Sequence, residues 1–181
     1  MKIVALTKEE FDNFAYHHKY STYYQTSAYA ETSRYEGLNT FYIGFVQDNE
    51  LVGVTLFLHK TIYLYYKYAY APRGFLIDYT DSKLVKNVTM GLINLLKKQH
   101  YAFIKIDPPI ICSERDNKGN IIYFSNTINQ ILDTLKSNSY IHMGFNKYFE
   151  NYKPRLNAFV NLTYDLEKIY SNITNEVKEK I

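Results

Sequence analysis

The segment YAYAPRGFLIDYTD, from Tyr68 to Asp81, is the part of this 181-residue sequence that most constrains the fold. It starts like a buried strand, is interrupted at Pro72, Arg73 and Gly74, and then becomes apolar again. Pro72 has no N–H group, so it breaks the pairing of a strand with its neighbour. Gly74 tolerates backbone angles that are closed to other residues and allows another group to come close. We therefore expect two neighbouring strands to splay apart at this point.

Two interpretations of the interruption are open. In the first, the N–H groups of Arg73, Gly74 and Phe75 point at a ligand, and the planar guanidinium of Arg73 binds a phosphate or a carboxylate. In the second, these residues form a β-bulge with an exposed arginine, as sheets often contain. The order of the surrounding elements favours the first interpretation.

The remaining sequence predicts helices and strands in the order of a mixed α/β (α+β) fold. Thr7 and Glu10 form a capping box at the start of one helix, and Asp81 is a good N-cap for a long amphipathic helix. Predicted helices cover 8–18, 28–36, 82–99, a segment around 128–135 and the tail from 167, and predicted strands cover 41–46, 51–60, 62–71, 102–107, 140–149 and 156–166. Residues 113–120 are predicted to form a surface loop. One layer of sheet covered by helices is the expected result.

Composition and charge exclude several classes of protein. The net charge of +3 is too small for a broad nucleic-acid surface, and the single cysteine, Cys112, cannot form an internal disulfide. The start of the chain is not a signal peptide and no segment is long enough to span a membrane, so we predict a soluble cytoplasmic protein. His17 and His18 lack partners at metal-ligand spacing, so no metal site is predicted. The 20 tyrosines indicate either a surface that stacks bases or sugars or a bias of composition.

The order of the elements after the interruption is that of the acetyltransferase-like (GNAT) fold. In that fold a strand breaks before a long helix, a further strand follows, and the splay between the two central strands holds the acyl group. The further strand here ends in Asp107-Pro108. An ordinary GNAT protein also has a glycine-rich loop at the start of the helix, where N–H groups bind the pyrophosphate of coenzyme A. The seven glycines of this chain are scattered, so plain acyl-CoA chemistry is disfavoured.

Five segments of the sequence carry a more specific resemblance. They are YQTSAYAETSRYEG (24–37), the hairpin with DNELVGVTLFL (48–58), YAYAPRGFLIDYTD (68–81), FIKIDPP (103–109) and GFNKYFENYKPRLNAFVNLTYDL (144–166). In this order they resemble the Fem-type (FemABX) aminoacyltransferases, which form peptidoglycan bridges. Each segment alone is a weak signal, but together they cover most of the chain.

The resemblance implies both a domain organisation and a reaction. Residues 1–166 would be the first of two GNAT-like domains, and 167–181 would start a helix that leads into a second domain. The enzyme would transfer an amino acid from aminoacyl-tRNA to an amine on the stem peptide of a lipid-linked or nucleotide-linked peptidoglycan precursor. Because the ester of the charged tRNA is already activated, the enzyme has to orient the amine, accept its proton and stabilise the oxyanion, without a metal, a cofactor or a covalent intermediate.

The same resemblance implies which functions belong to each half of the protein. Catalytic and tRNA-facing groups of the family lie largely in the second half, so this chain alone is expected to be inactive and no catalytic residue is assigned in it. A lipid-linked precursor would also bring the protein into contact with a membrane surface.

Six residues are candidates for binding the substrate. They are Arg73, Tyr70 and Gly74 at the strand interruption, Asp107 at the end of the following strand, and Tyr29 and Arg34 on the second predicted helix. Asp107 lies at the carboxyl end of its strand, where ligands often bind in α/β sheets, although it is equally suited to cap the loop that follows.

The second helix departs from the family pattern. Some family members carry a precursor-binding lysine directly after a Trp-Ala pair, whereas here Tyr29-Ala30 is followed by Glu31. A carboxylate at that position would repel a diphosphate, so this contact is not transferred to Glu31. Arg34, one helical turn further on, is the candidate that would replace the lysine.

Two other functions remain open. One is an ordinary GNAT-type N-acyltransferase, which uses acyl-CoA or has another acceptor; the aminoacyl transfer itself has a further variant, in which the acceptor is the amine of a lipid or a protein. The other is a stand-alone module that binds a precursor or a partner in the same groove without catalysis.

Overall fold

A five-stranded mixed sheet forms the centre of the computed structural model, which describes residues 1–144 and 159–180. Its strands are β1 (Lys2–Ala5), β2 (Asn39–Gln47), β3 (Glu50–Tyr63), β4 (Tyr66–Ala71) and β5 (Tyr101–Ile106). They lie side by side in chain order. Neighbours from β1 to β4 are antiparallel, and β5 runs parallel to β4.

Helices cover both faces of this sheet. They are α1 (Lys8–His17), α2 (Ser27–Tyr35), α3 (Ser82–Lys97) and α4 (Ile128–Ser137), with a short 3₁₀ turn, Tyr23–Gln25, before α2. Because successive strand residues point to opposite faces, β3 contributes to two cores. Leu56 packs with residues of α1 and α2, whereas Phe57 packs with residues of α3 and α4. Val54, Leu56 and Leu58 share one face, as the alternation in the sequence predicts.

The mixed α/β class and the GNAT-like layout predicted from the sequence are confirmed. The first four strands form a meander, and α3 then carries the chain back to β5. A parallel pair of strands requires such a crossover, because a tight turn can join only antiparallel strands. The candidate residues at the interruption and at the end of β5 are thereby brought to the same end of the sheet.

The helix starts follow local side-chain chemistry. The capping box of Thr7 and Glu10 is present at α1, and the carboxylate of Asp81 accepts a hydrogen bond from the Leu84 N–H at 2.9 Å at α3. The start of α2 differs from the prediction by one residue. Thr26 accepts the hydrogen bond of the capping position from the Tyr29 N–H, so the helix begins at Ser27 rather than at residue 28.

The predicted surface loop over residues 113–120 is instead part of a two-stranded hairpin. Its strands are β6 (Ser113–Arg115) and β7 (Ile121–Phe124). These strands of three and four residues are too short to show an alternating pattern in the sequence. The carboxylate of Asp116 closes the turn by accepting hydrogen bonds from the N–H groups of Lys118 and Asn120.

The C-terminal part departs most from the prediction. The described residues of the two last predicted strands, 140–144 and 159–165, are not in strands, and the rest of those segments lies outside the described residues. The predicted tail helix is two short helices, α5 (Leu166–Asn172) and α6 (Asn175–Lys178). They are separate because Ile173 is extended and Thr174 takes the N-cap position of α6.

The chain forms two compact units, Met1–Ile141 and His142–Ile181. The sheet, α1 to α4 and both core clusters lie in the first unit. Among the described residues, no helix has the length and apolar character needed to cross a bilayer. The predicted division of the chain after residue 166 stays a prediction.

Candidate functional site

The interruption of β4 opens a gap beside β3. The pairing of Leu58 with Tyr70 places Leu56 opposite Pro72, which has no N–H group to offer. The chain rejoins β3 at Leu76, which exchanges two backbone hydrogen bonds with Val54, at 3.0 and 3.2 Å. On the side that faces β4, the backbone of Leu56 is therefore left without a strand partner.

The side chain of Gln25 fills this gap. It is fully buried, its Oε1 accepts a hydrogen bond from the Leu56 N–H at 2.8 Å, and its Nε2 donates to the Leu56 carbonyl at 3.3 Å. The same Nε2 donates to the Pro72 carbonyl at 2.8 Å. One amide group thus satisfies the backbone groups that the missing strand pairing would otherwise leave buried and unbonded. Gln25 lies in the segment YQTSAYAETSRYEG, but the sequence alone does not reveal this role.

The three N–H groups at the interruption are bonded within the chain. The N–H of Arg73 donates to Asp107 Oδ1 at 2.7 Å. The N–H of Gly74 donates to the Ala71 carbonyl at 3.1 Å, and the N–H of Phe75 donates to Tyr79 Oη at 2.6 Å. The interpretation in which these N–H groups point at a ligand is therefore wrong, because every one of them already has a protein acceptor. What remains available for binding at this point is side-chain chemistry.

Gly74 has a packing reason that the sequence did not reveal. A Cβ atom on this residue would lie 2.9 Å from Nε2 of Gln25 and 3.1 Å from Oγ1 of Thr55. The group that comes close to Gly74 is therefore the buried Gln25 side chain. The left-handed backbone angle belongs to Arg73, whose φ is 52°.

The structure brings Tyr70, Arg73 and Asp107 together. Asp107 directly follows Ile106, which pairs with Ala71 at the end of β4. Its carboxylate accepts a hydrogen bond from Tyr70 Oη at 3.0 Å and from the Arg73 N–H at 2.7 Å. The side chain of Asp107 thus joins the end of β5 to the interruption.

The electrostatics of this cluster combine a cation with a partly buried carboxylate. Burial raises the pKa of Asp107, whereas the Arg73 N–H hydrogen bond and the positive charges of Arg73 and Lys105 act in the opposite direction. The ammonium of Lys105 lies 5.1 Å from the centre of the Tyr70 ring. The half-buried guanidinium of Arg73 makes no hydrogen bond or ion pair with any residue that the structure describes. Its fork is available for a carboxylate or a phosphate.

Tyr29 and Arg34 take different positions on α2. Tyr29 contacts the rings of Tyr23 and Tyr24 edge-on, with centroids 5.5 and 5.1 Å away. It packs against the same core cluster as Tyr70, so both lie on one face of the sheet. Arg34 instead donates from Nε to Thr40 Oγ1 at 2.6 Å. Its bond leads to β2, away from the interruption.

Glu31 has a cationic neighbour that the sequence did not reveal. Its carboxylate forms a salt bridge with the ammonium of Lys8 on α1. The hydrogen bond and the charge of Lys8 lower the pKa of Glu31. The negative charge expected to repel a diphosphate is therefore balanced by a lysine on the neighbouring helix.

Comparison with known proteins places this architecture in a family. A model described as the FemAB family matches residues 6–181. The chain belongs to the FemAB family. It is 30% identical over 151 residues to the aminoacyltransferase FemA of Staphylococcus epidermidis, an alignment that covers 83% of this chain and 36% of that protein. FemA of Staphylococcus aureus is 30% identical over 152 residues, with the same coverage.

A solved structure gives the same result. The crystal structure of FemX superposes with a TM-score of 0.63 and 26% sequence identity, and the match covers 81% of this chain and 33% of FemX. The resemblance to Fem-type proteins read from the sequence is thereby confirmed. This FemAB chain spans about a third of the length of the relatives it matches.

The start of α3 in this FemAB chain is unsuited to a pyrophosphate. In GNAT proteins that use coenzyme A, N–H groups at this helix start bind the pyrophosphate. Here the carboxylate of Asp81 already accepts the Leu84 N–H hydrogen bond. A negative charge at the same place would also repel a phosphate.

Proposed function

We propose that this chain is the first GNAT-like domain of a tRNA-dependent aminoacyltransferase, which adds an amino acid to the stem peptide of a peptidoglycan precursor. The single observation that carries the proposal is the FemAB match over residues 6–181. Relatives at 30% identity are named aminoacyltransferases, which supports transfer of an aminoacyl group. The precursor is the partner of this domain. Aminoacyl-tRNA binds mainly to the part of the relatives that this chain does not cover.

The cluster of Tyr70, Arg73 and Asp107 is the proposed contact with the precursor. The guanidinium of Arg73 binds an anionic group of the precursor, either a phosphate or a carboxylate. The carboxylate of Asp107, held by Tyr70, accepts a hydrogen bond from the acceptor amine or the stem peptide. Because burial raises its pKa, Asp107 is also a better proton acceptor than an ordinary surface aspartate.

The remaining candidates have supporting roles. Tyr29 offers an aromatic surface on the same face of the sheet as Tyr70. Gly74 makes room for Gln25, which fixes the path of the interruption. Arg34 and Lys8 are the basic groups of the two helices on that face, and either can approach a diphosphate.

The two alternatives have distinct outcomes in binding assays. If the protein transfers an acyl group from acyl-CoA, coenzyme A should bind it and raise its melting temperature. Asp81 at the start of α3 disfavours this binding. A stand-alone module would bind the precursor with no transfer, even when the chain is joined to the remainder of a protein of FemA length.

Arg73→Gln removes the positive charge but keeps the backbone N–H, which donates a hydrogen bond to Asp107. Loss of a charge-assisted, bidentate hydrogen-bonding contact should weaken the binding of a nucleotide-linked muropeptide about tenfold or more. The melting temperature should stay within about 2 °C, since the guanidinium bonds to no described residue. Isothermal titration calorimetry on residues 1–181 measures the affinity.

Arg115→Gln is the matched control, because Arg115 bonds within the β6–β7 turn. It should leave the affinity unchanged. If Arg73→Gln binds the precursor as tightly as the original protein, Arg73 is not a contact. A large fall in melting temperature with unchanged affinity would mean that its role is structural.

A transfer assay tests whether residues 1–181 bind the precursor but need the rest of a FemA-length protein for aminoacyl transfer. Residues 1–181 should bind the precursor but incorporate no amino acid from aminoacyl-tRNA, whereas the same sequence within a protein of FemA length should incorporate it. Transfer by residues 1–181 alone would overturn the proposed need for a second half.

A further inference from the structure

The turn between β3 and β4 is built from unusual residues. It consists of Leu64-Tyr65, and Leu64 has a φ of 47°, in the left-handed region. Turns of this length favour Asn, Asp or Gly at such positions, because a side chain like leucine is disfavoured there. The turn between β2 and β3 follows the rule with Asp48-Asn49, whose φ angles are 51° and 66°. The β3–β4 turn therefore carries a leucine that turn geometry does not favour.

The side chains around this turn are apolar and exposed. Leu64 is 74% exposed, Ile62 51%, Tyr65 55% and Tyr66 44%. We call these four residues the apolar tip. Large apolar groups clustered on a surface usually mark an interaction site, whereas single exposed ones need no explanation.

Basic residues surround the apolar tip. Lys60 and Lys67 flank it on the two strands, and Lys97 and Lys98 end the neighbouring helix α3. The end of α3 is next to the tip, because the His100 ring lies 5.1 Å from the Tyr65 ring and the His100 carbonyl accepts the Lys67 N–H at 3.0 Å.

Acidic residues are scarce in this part of the sequence. None occurs in residues 51–77 or 82–106. Asn39 at the start of β2 pairs with His59, which lies at this end of the sheet. Glu36 lies three residues before Asn39 and therefore adds one negative charge near this end. The four lysines outnumber it, so the surface around the tip is positively charged.

We propose that the apolar tip and its lysines dock the protein onto an anionic lipid bilayer. Aliphatic side chains enter the boundary between headgroups and acyl chains, tyrosines sit at headgroup level, and lysines attract anionic lipids. A surface for single-stranded RNA would also use tyrosines and lysines, but Ile62 and Leu64 have no ring to stack on a base. The lysines at the end of α3 also suit the helix dipole, yet that does not account for the leucine in the turn.

The docking surface is independent of the candidate precursor site. The tip includes the first residue of β4 and the interruption follows the last one, so the two lie at opposite ends of one strand. Changes at the tip therefore leave Arg73 and Asp107 in place.

The test is co-sedimentation of residues 1–181 with lipid vesicles. Vesicles of phosphatidylcholine with about one third phosphatidylglycerol should bind the protein, and pure phosphatidylcholine should bind it much more weakly. The double variant Leu64→Asn, Tyr65→Gly should lose about tenfold or more in vesicle affinity. Asn suits the left-handed angle at position 64, and this offsets the loss of the Tyr65 ring contact with His100, so the melting temperature should stay within about 2 °C, which separates docking from folding.

Matched variants control for general changes in polarity and charge. Lys97→Gln with Lys98→Gln should weaken binding about fivefold or more, whereas Lys83→Gln with Lys86→Gln, at the other end of α3, should not. Ile121→Ser with Ile122→Ser removes two exposed apolar side chains of β7 and should leave binding intact.

Three outcomes would overturn the proposal. The first is no binding of the original protein to anionic vesicles. The second is an equal loss in the tip variant and in the β7 variant. The third is binding of a single-stranded RNA probe that the tip variant abolishes, together with no vesicle binding, which would make the tip an RNA surface.

Discussion

Gln25 is the residue on which the interruption of β4 depends. In Gln25→Ala, the N–H and carbonyl of Leu56 and the carbonyl of Pro72 would lose their hydrogen bonds inside the core. The cost of unsatisfied buried groups and of a cavity together predicts a loss of about 2–4 kcal/mol in the free energy of unfolding. Urea denaturation of the two proteins measures it.

A control for this change is Gln130→Ala on α4, where the side chain is exposed. It should shift the free energy of unfolding by no more than about 0.5 kcal/mol. If Gln25→Ala costs less than about 1 kcal/mol, water or a rearranged backbone can replace the amide, and the interruption does not depend on this side chain.

Sequence reasoning at the residue scale succeeded where the chemistry is local. Pro72 predicts a break in strand pairing without any knowledge of its neighbours. The role of Gln25 could not be predicted, because its backbone partners lie 31 and 47 residues further along the chain. The same limit applies to the N–H groups at Arg73 and Phe75. Their acceptors, Asp107 and Tyr79, are fixed by the fold rather than by the motif.

The turn that leads into α3 depends on a titratable group, the carboxylate of Asp78. Asp78 accepts hydrogen bonds from the N–H and hydroxyl of Thr80 and from the ammonium of Lys19. Although burial alone would raise the pKa of Asp78, these bonds lower it to about 2. The ionised form therefore holds the turn that leads to the N-cap at Asp81.

A lowered pKa in the folded state predicts a specific loss of stability in acid. The contribution of Asp78 should be complete above about pH 4 and should disappear as the pH falls towards 2. Its size should be about 1 kcal/mol or less, because Lys19 and Asp78 are half exposed and water screens the pair. The free-energy difference between the original protein and Asp78→Asn, measured in urea from pH 5 to pH 2, should shrink over this range. A difference that is constant with pH would show that the ion pair adds nothing.

The accuracy of the predicted elements follows the length of their patterns. α3 has a long apolar period and a cap at Asp81, and the prediction of it is correct to within two residues. β1 was missed because four residues, Lys2–Ala5, are too few to show a pattern, and the strand exists through its pairing with β2. The α5–α6 break was missed because Thr174 can cap a helix or lie within one.

The whole molecule concentrates its core in the first unit. The buried members of both core clusters lie between Phe11 and Ile131. By contrast, α5 and α6 contain no buried residue. Side chains that stay exposed contribute little to the free energy of unfolding. The stability of the described fold should therefore not depend on these two helices.

A shortened chain of residues 1–166 tests this distribution and the predicted domain boundary together. Its free energy of unfolding should lie within about 0.5 kcal/mol of the value for residues 1–181. Ile131→Ala, at a buried position of α4, is the positive control and should cost about 2–4 kcal/mol, because it leaves a cavity in the core. A loss above about 2 kcal/mol in the shortened chain would mean that residues 167–181 belong to the first domain. The boundary after residue 166 would then be wrong, and these residues could not be the start of a second domain.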